Sequence, residues 1–392
     1  MKKYLCLPIP AGLSGVRMPV LAAAVSLALA TNAEADLQES PGWAVSATAT
    51  AKAGYDSNLT FSQDGEGDSF GTAKGDVLVE RQNSLLDTKL FAAAAETYFA
   101  ADKAPSQLDA SAGFSLRYPY LSNELPRFLA TGDWSQNTAA DPELNRRLKL
   151  EKWNGDVGGR VFTSGQFGIN ADFNSALYDY SSDGLGRNEA SELMAGLAYD
   201  PTPLTEISAN IGWGMGTASG SSTNASVRDH NEIATVQVRG QVLPKLTSTL
   251  FVGVTHITYT GGYSNSSTLP TAGGELIWSV SPGRSIRAGV GVSAGFAPDG
   301  ESQRKSQASL DGRQSLSASW SVDAQLSGYR YSDRSTSFAR NDNGLSAGAA
   351  VRYAPSPRFD ASLSYAVLHQ TSNLGGAGFN QNLFTLQLAY HI

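Results

Sequence analysis

The chain of 392 residues contains one cysteine, Cys6, and four histidines. Cys6 precedes an apolar stretch that reads as a removable leader, so the mature chain carries no thiol. That excludes disulfide frameworks, thiolate zinc sites and cysteine nucleophiles. His230, His256, His369 and His391 are scattered, none beside a serine and a carboxylate in a triad order, and no enzyme is expected. A basic excess is also lacking: 29 Lys and Arg stand against 36 Asp and Glu, a formal charge of −7. Nucleic acid is therefore not an expected partner. Beyond the leader no apolar run reaches about 18 residues, so no membrane-spanning helix is expected. The acidic stretch Asp64-Gly65-Glu66-Gly67-Asp68 could hold Ca²⁺ but lacks the spaced ligands of an EF-hand, and reads as a solvated loop. No metal or cofactor is expected.

Lys2, Lys3 and Arg17 come before or within the approach to Val20–Ala30, and Ala33-Glu34-Ala35 follows. A basic start, an apolar stretch too short to span a bilayer and a small-x-small site mark residues 1–35 as a signal peptide. Its removal leaves a charge of about −9 on about 357 residues. Residues 36–41 are expected to be a short periplasmic tail and 42–392 the folded domain.

From Trp43 to the end, apolar side chains recur at every second position. Trp43, Val45, Ala47, Ala49, Ala51, Ala53 and Tyr55 share one face of the first segment. Ile207, Ala209, Ile211, Trp213 and Met215 do so later, and Leu386, Leu388, Tyr390 and Ile392 close the chain. Such segments are strands with one apolar and one polar face. The connections alternate between short ones holding Pro, at 201–203, 243–245, 281–283 and 355–357, and long polar ones such as 56–74, 135–146, 218–229, 261–270, 332–343 and 371–379. Short turns on one rim and long loops on the other predict a transmembrane antiparallel up-and-down β-barrel in a Gram-negative outer membrane, with both termini periplasmic. The count is about 18 strands, with 16 as the alternative. A soluble solenoid or pair of sandwiches is the other all-β reading. Closure requires Trp43–Tyr55 to pair with Leu383–Ile392, because hydrocarbon satisfies no open sheet edge. Alternation slips over 76–101 and 146–162, and a bulge near Glu151 is the expected cause of the second slip.

With the apolar face on lipid, the opposite face lines the lumen. Candidate pore-lining charges are Lys52, Arg117, Lys149, Arg160, Asp172, Glu206, Arg239, Arg287, Asp323, Arg352 and Asp360. Both signs occur, which fits charges that pair across the lumen and stiffen the wall as well as charges that conduct. Trp43, Tyr55, Trp213, Trp278, Trp320, Tyr353 and Tyr390 are expected in interfacial girdles. Tyr178, Tyr180, Tyr329 and Tyr331 are the inward candidates for stacking on sugars.

Ala53-Gly54-Tyr55-Asp56-Ser57-Asn58-Leu59 resembles the Tyr-Asp-Ser-Asn signature near the start of a β-barrel porin family encoded beside exopolysaccharide synthesis genes, and the layout of the whole mature chain is similar. The chain ends on Ile392 where Phe or Trp is common in barrels. The resemblance implies a conduit for secreted polysaccharide, with periplasmic export components and the barrel-insertion machinery as partners. The residues themselves give Asp56 and Asn58 a plainer job as turn formers that open a long loop. A general or solute-specific diffusion porin and a non-conducting structural or adhesive barrel are the other functions open.

Overall fold

The computed structural model describes residues 43–392 except 83–84, 102, 119–126, 142–145, 163–165, 181–185, 220–225, 261–264, 297–301, 334–339 and 375–376. The expected leader and periplasmic tail lie outside the described residues. Alternating residues build β1 (Trp43–Asp56), β2 (Asp68–Gln82), β3 (Asp87–Phe99), β4 (Gln107–Tyr118), β5 (Arg127–Asp141), β6 (Arg146–Phe162), β7 (Phe167–Asp179), β8 (Arg187–Thr202) and β9 (Thr205–Ser219). The second half comprises β10 (Ser226–Leu243), β11 (Leu246–Thr260), β12 (Asn265–Ser281), β13 (Arg284–Phe296), β14 (Ser302–Ser315), β15 (Trp320–Asp333), β16 (Asn341–Ser356), β17 (Phe359–Ser372) and β18 (Phe379–His391). Each strand pairs antiparallel with its sequence neighbours, and β1 pairs with β18, so the 18-stranded sheet closes on itself. The seam runs from Thr48↔His391 to Asp56↔Leu383, and the amide of Ile392 still donates to the Ala47 carbonyl at 2.9 Å. No backbone edge is left for lipid to desolvate.

Outside the barrel, side chains that a water-soluble protein would bury stand exposed. Leu197 is 67% exposed and Val252 64%, and Ile169, Ile211, Val290, Leu345 and Leu386 share their outward face. A continuous apolar surface of this extent requires hydrocarbon as its solvent. The barrel is therefore an outer-membrane barrel, set in membrane lipid. Every aromatic expected in a girdle is outward and exposed. At the end holding the tight turns they come as opposed cross-strand pairs, with Phe167 and Tyr199 at 4.9 Å and Trp320 and Tyr353 at 4.6 Å between ring centres. Stacked pairs of this kind add stability beyond their buried area.

Four turns on this rim have two central residues, the first always proline: Pro203, Pro244, Pro282 and Pro357. Proline presets φ for that position. A register shift accompanies each of the four, absorbing the splay that an ordinary turn imposes on a twisted hairpin. In the turn at 281–284, Gly283 has φ of 75°, which its missing Cβ permits. On the other rim the strands outrun the expected loops: β5 continues through Asp141 and β12 begins at Asn265. Polar residues still form ladders there because backbone pairing, unlike the apolar face, does not stop at the headgroups.

Two expectations need correction. The register of β6 with β5 and β7 runs unbroken through Glu151, so no bulge is there. The apparent slip comes from Leu148 and Leu150, which lie in the inward phase of Arg160, with Leu148 almost fully buried. Lys149 therefore falls in the outward phase of Trp153 and Val157, near the extracellular end, and does not line the lumen.

Candidate functional site

Among the described residues, inward-facing side chains from all the strands bring polar chemistry together in the lumen. Of the expected pore-lining residues, Lys52, Arg117, Arg160, Asp172, Glu206, Arg239, Arg287, Asp323, Arg352 and Asp360 all fall in the inward phase of their strands, Lys149 alone excepted. The structure does not bring them into one cluster. Lys52 lies 5.4 Å over the Phe70 ring beneath the first loop. Arg287 pairs with Glu275 at 3.4 Å, Asp323 with Arg313 at 3.7 Å, and Arg352 with Asp360 at 2.9 Å. Asp360 also accepts from His391 Nε2 at 2.8 Å, and His391 Nδ1 meets Thr48 Oγ1 at 3.2 Å, so this cluster ties β17, β18 and β1 across the seam.

The densest assembly sits at the periplasmic half of β4–β10. Arg160 is buried between two carboxylates, Asp200 at 3.0 Å and Glu206, which it contacts through Nη1. Glu206 also takes Arg239, Nε to Oε1 at 2.9 Å and Nη2 to Oε2 at 3.0 Å. Arg127 stands directly opposite Arg160 in register, and Arg117 projects from the end of β4. Asn170 donates to Asn210 Oδ1 at 2.9 Å on the next tier. All of these except Asp200 line a cavity of about 820 Å³ that also receives Asp172, Glu192 and Asn231. Strand ends put them together: β6, β8 and β10 arrive at this rim where β5, β7 and β9 begin. Neither Arg127 nor Asp200 was among the sequence candidates. Asp200 abuts the Pro201–Pro203 turn and reads as a turn residue, and Arg127 begins a strand whose alternation is short of apolar markers.

The opposite wall is built differently. Along β13–β17 many inward positions are small, among them Gly289, Ser293, Ser309, Ser327 and Ser346, interspersed with charges of both signs such as Arg287, Asp311, Asp323, Arg352 and Asp360. Gln307, Arg313 and Gln325 point inward and are nevertheless exposed, so water reaches this side of the lumen. Near the extracellular end Tyr329 and Tyr331 face inward with ring centres 4.8 Å apart. The Tyr329 hydroxyl donates to Gln370 Oε1 at 2.6 Å, and Lys305 Nζ lies 5.2 Å over the Tyr331 ring. Tyr178 also faces inward, beneath Lys152 at 5.3 Å, while Tyr180 follows the end of β7.

At the outer mouth the segment after β1 turns back onto the barrel. Leu59 is buried against Phe99, Ala104 and the inward Phe70, and Phe61 packs on Phe379 at 4.8 Å. Asp56, Ser57 and Asn58 hold it there. Asn58 donates from Nδ2 to the carbonyls of Ser62 and Asn380, at 2.8 and 3.0 Å, and its own amide donates to Asp56 Oδ1 at 2.9 Å. Gln381 donates to Asp56 Oδ2 at 2.8 Å, and Ser57 Oγ accepts from the amide of Asn382 at 2.7 Å. Tyr55, the first residue of the motif, faces outward. Asp56, Ser57 and Asn58 thus stitch β1 to β18 at the extracellular rim while starting the loop, the turn role expected of Asp56 and Asn58 with a seam role added. Lys103 and Glu66 pair above them at 2.9 Å, and the hydrogen bond to Glu66 raises the Lys103 pKa.

No family model matches the chain, and no curated protein matches it. Solved structures similar to it include the siderophore receptor PirA from Pseudomonas aeruginosa, 8% identical over 89% of this chain and 80% of that one, with a TM-score of 0.43. OccK11 from the same species is 12% identical over 90% and 97%, at 0.42. The ferric-catecholate import receptor Fiu from E. coli K12 is 8% identical over 88% and 81%, at 0.44. Likeness at this level carries no argument about cargo; the barrel stands on its own strand pairing. Among the described residues no group of three His, Cys, Asp or Glu side chains is placed to hold a metal ion.

Proposed function

We propose that the chain forms a passive, water-filled pore through the outer membrane for hydrated polar solutes. The observation that carries this reading is the wall of β13–β17, where inward Gln307, Arg313 and Gln325 are exposed among small side chains and charges of both signs paired across strands. A wall of this composition lets a solute keep its hydration and offers no single-sign ring to bar one charge. Its paired charges leave few bare ions to trap cargo. Single-channel recording from the purified protein in planar bilayers tests the reading: stepwise ion current supports it, and a silent bilayer with correctly inserted protein refutes it in favour of a structural or adhesive barrel.

Passage of a secreted polysaccharide is the second reading. The family resemblance favours it, and so does the Tyr329–Tyr331 pair on the inward face near the extracellular mouth, an aromatic surface of the kind on which sugar rings stack. Periplasmic export components and the barrel-insertion machinery would then be its partners. Transient current blockade by a candidate glycan, lost when both tyrosines become Ala, supports this reading. A leak blind to polymer removes it and leaves a diffusion porin.

A further inference from the structure

We infer that the extracellular rim of β14–β16 carries, on its lipid side, a seat for the phosphate group of an outer-leaflet glycolipid. The inference stands on the membrane face of the barrel and goes beyond the pore reading, which concerns the lumen. Register fixes the place. On β14 the face of Leu310, 48% exposed, continues toward the extracellular end through Ala308 and Ser306 to Arg304. On β15 the face of Leu326, 47% exposed, continues through Gly328 to Arg330 and Ser332. Both arginines therefore stand on the outer surface where outward side chains change from apolar to polar, the depth at which lipid headgroups begin. Asn343 of β16, outward like Leu345, lies directly opposite Arg330.

Arg304 is opposite Ser332 and Ser306 is opposite Arg330, so the two arginines occupy one diagonal of a four-residue square. Diagonal neighbours on one face are about 7–8 Å apart, within reach of long side chains, and like charges so placed repel unless an anion lies between them. No protein carboxylate supplies one. Among the described side chains of β13–β18, Asp311, Asp323, Asp342 and Asp360 all lie in the inward phase, and Arg304 Nε is buried without a hydrogen-bond partner. The rim of β8 is the contrast, since outward Arg187 there has its own carboxylate, Glu189 at 2.7 Å. The anion left to the β14–β15 square is the one that lipid presents at this depth. Guanidinium forks take phosphate oxygens in pairs. Ser306, Ser332 and Asn343 around them offer donors and acceptors for the remaining phosphate oxygens and for sugar hydroxyls. A phosphorylated sugar whose acyl chains run down the face of Leu310 and Leu326 matches the charge, the hydroxyl partners and the apolar surface together.

The test is retention of lipid by the intact purified barrel in neutral detergent, counted by native mass spectrometry with three probes: diphosphoryl lipid A, its dephosphorylated form and phosphatidylcholine. Diphosphoryl lipid A is expected to be retained at concentrations about tenfold below the other two, since charge-assisted hydrogen bonds carry that much. Arg304→Gln combined with Arg330→Gln should erase the preference. Arg330→Gln alone, at an exposed side chain that folding does not need, should weaken it several-fold. Arg187→Gln should behave as wild type. Equal retention of the three lipids, an undiminished preference in the double variant, or a loss in Arg187→Gln as large as in the double variant overturns the inference. Each of these results leaves the pore reading as it stands, because no lumen residue is changed.

Discussion

Replacing Glu206 by Gln separates stability from selectivity at one atom. Glu206 is the shared acceptor of Arg160 and Arg239, with its side chain 11% exposed and that of Arg160 5%. Breaking a buried ion pair by neutralising one partner costs about 3–5 kcal/mol. Two features lower that figure here. Arg160 keeps Asp200 at 3.0 Å, and the half-exposed Arg239 arm contributes only about 0–1 kcal/mol. The expected loss is about 2–3 kcal/mol, read as a lower urea midpoint at unchanged slope for the barrel in lipid vesicles. Glu275→Gln is the internal control: its pair with Arg287 is 3.4 Å long with side chains 43% and 55% exposed, and the cost should stay below about 1 kcal/mol. The same Glu206 substitution removes one negative charge from the lumen wall. The reversal potential in a salt gradient should therefore move toward anions. Equal stability of the two variants, or a shift toward cations in Glu206→Gln, would refute the reasoning.

Three further outcomes follow from the same geometry. Val252→Arg places a charge on the lipid face of β11 and should cost about 2–4 kcal/mol near the bilayer midplane, whereas Ser309→Arg on the lumen face should alter conductance and leave the urea midpoint nearly unchanged. Asn58→Ala removes both carbonyl contacts that anchor the first loop, so limited proteolysis from the extracellular side should cut within 57–67 in the variant and spare the parent. Gly283→Ala forces a side chain into φ of 75° against Ser315, and its stability should fall by about 1–2 kcal/mol; an unchanged midpoint would show that the turn relaxes.

Most of the wall was legible because lipid imposes period two on every strand it touches, and proline marks the turns where ladder donors end. Reading failed where that premise fails. Leu148, Ile257, Leu269 and Phe99 are apolar yet face inward, because at the extracellular end loops and neighbouring strands fold over the mouth and supply an apolar neighbourhood without lipid. A lumen-facing Lys149 requires Leu148 and Leu150 on lipid, and the unbroken register of β6 places them the other way round. The lumen charges were individually identifiable from their phase. Their grouping was not, since Arg160, Asp200, Glu206 and Arg239 meet only once register and barrel closure fix which strand ends are level. The Tyr55–Asn58 motif shows the converse: a local turn signal was readable, but its bond to Asn380 spans 322 positions and belongs to the closed ring.

Alternating water access along one strand is the most direct measure of a barrel with hydrocarbon outside and solvent within. In a Cys6→Ser background, single cysteines are introduced at each position from Leu345 to Arg352 in β16, and each variant in sealed vesicles is exposed to a charged maleimide too polar to enter lipid. Even positions, which share the face of Arg352, should label rapidly, and odd positions, which share the face of Leu345 and Val351, should resist. Uniform labelling of both sets, or protection of the even set alone, would contradict the arrangement on which every functional statement here depends.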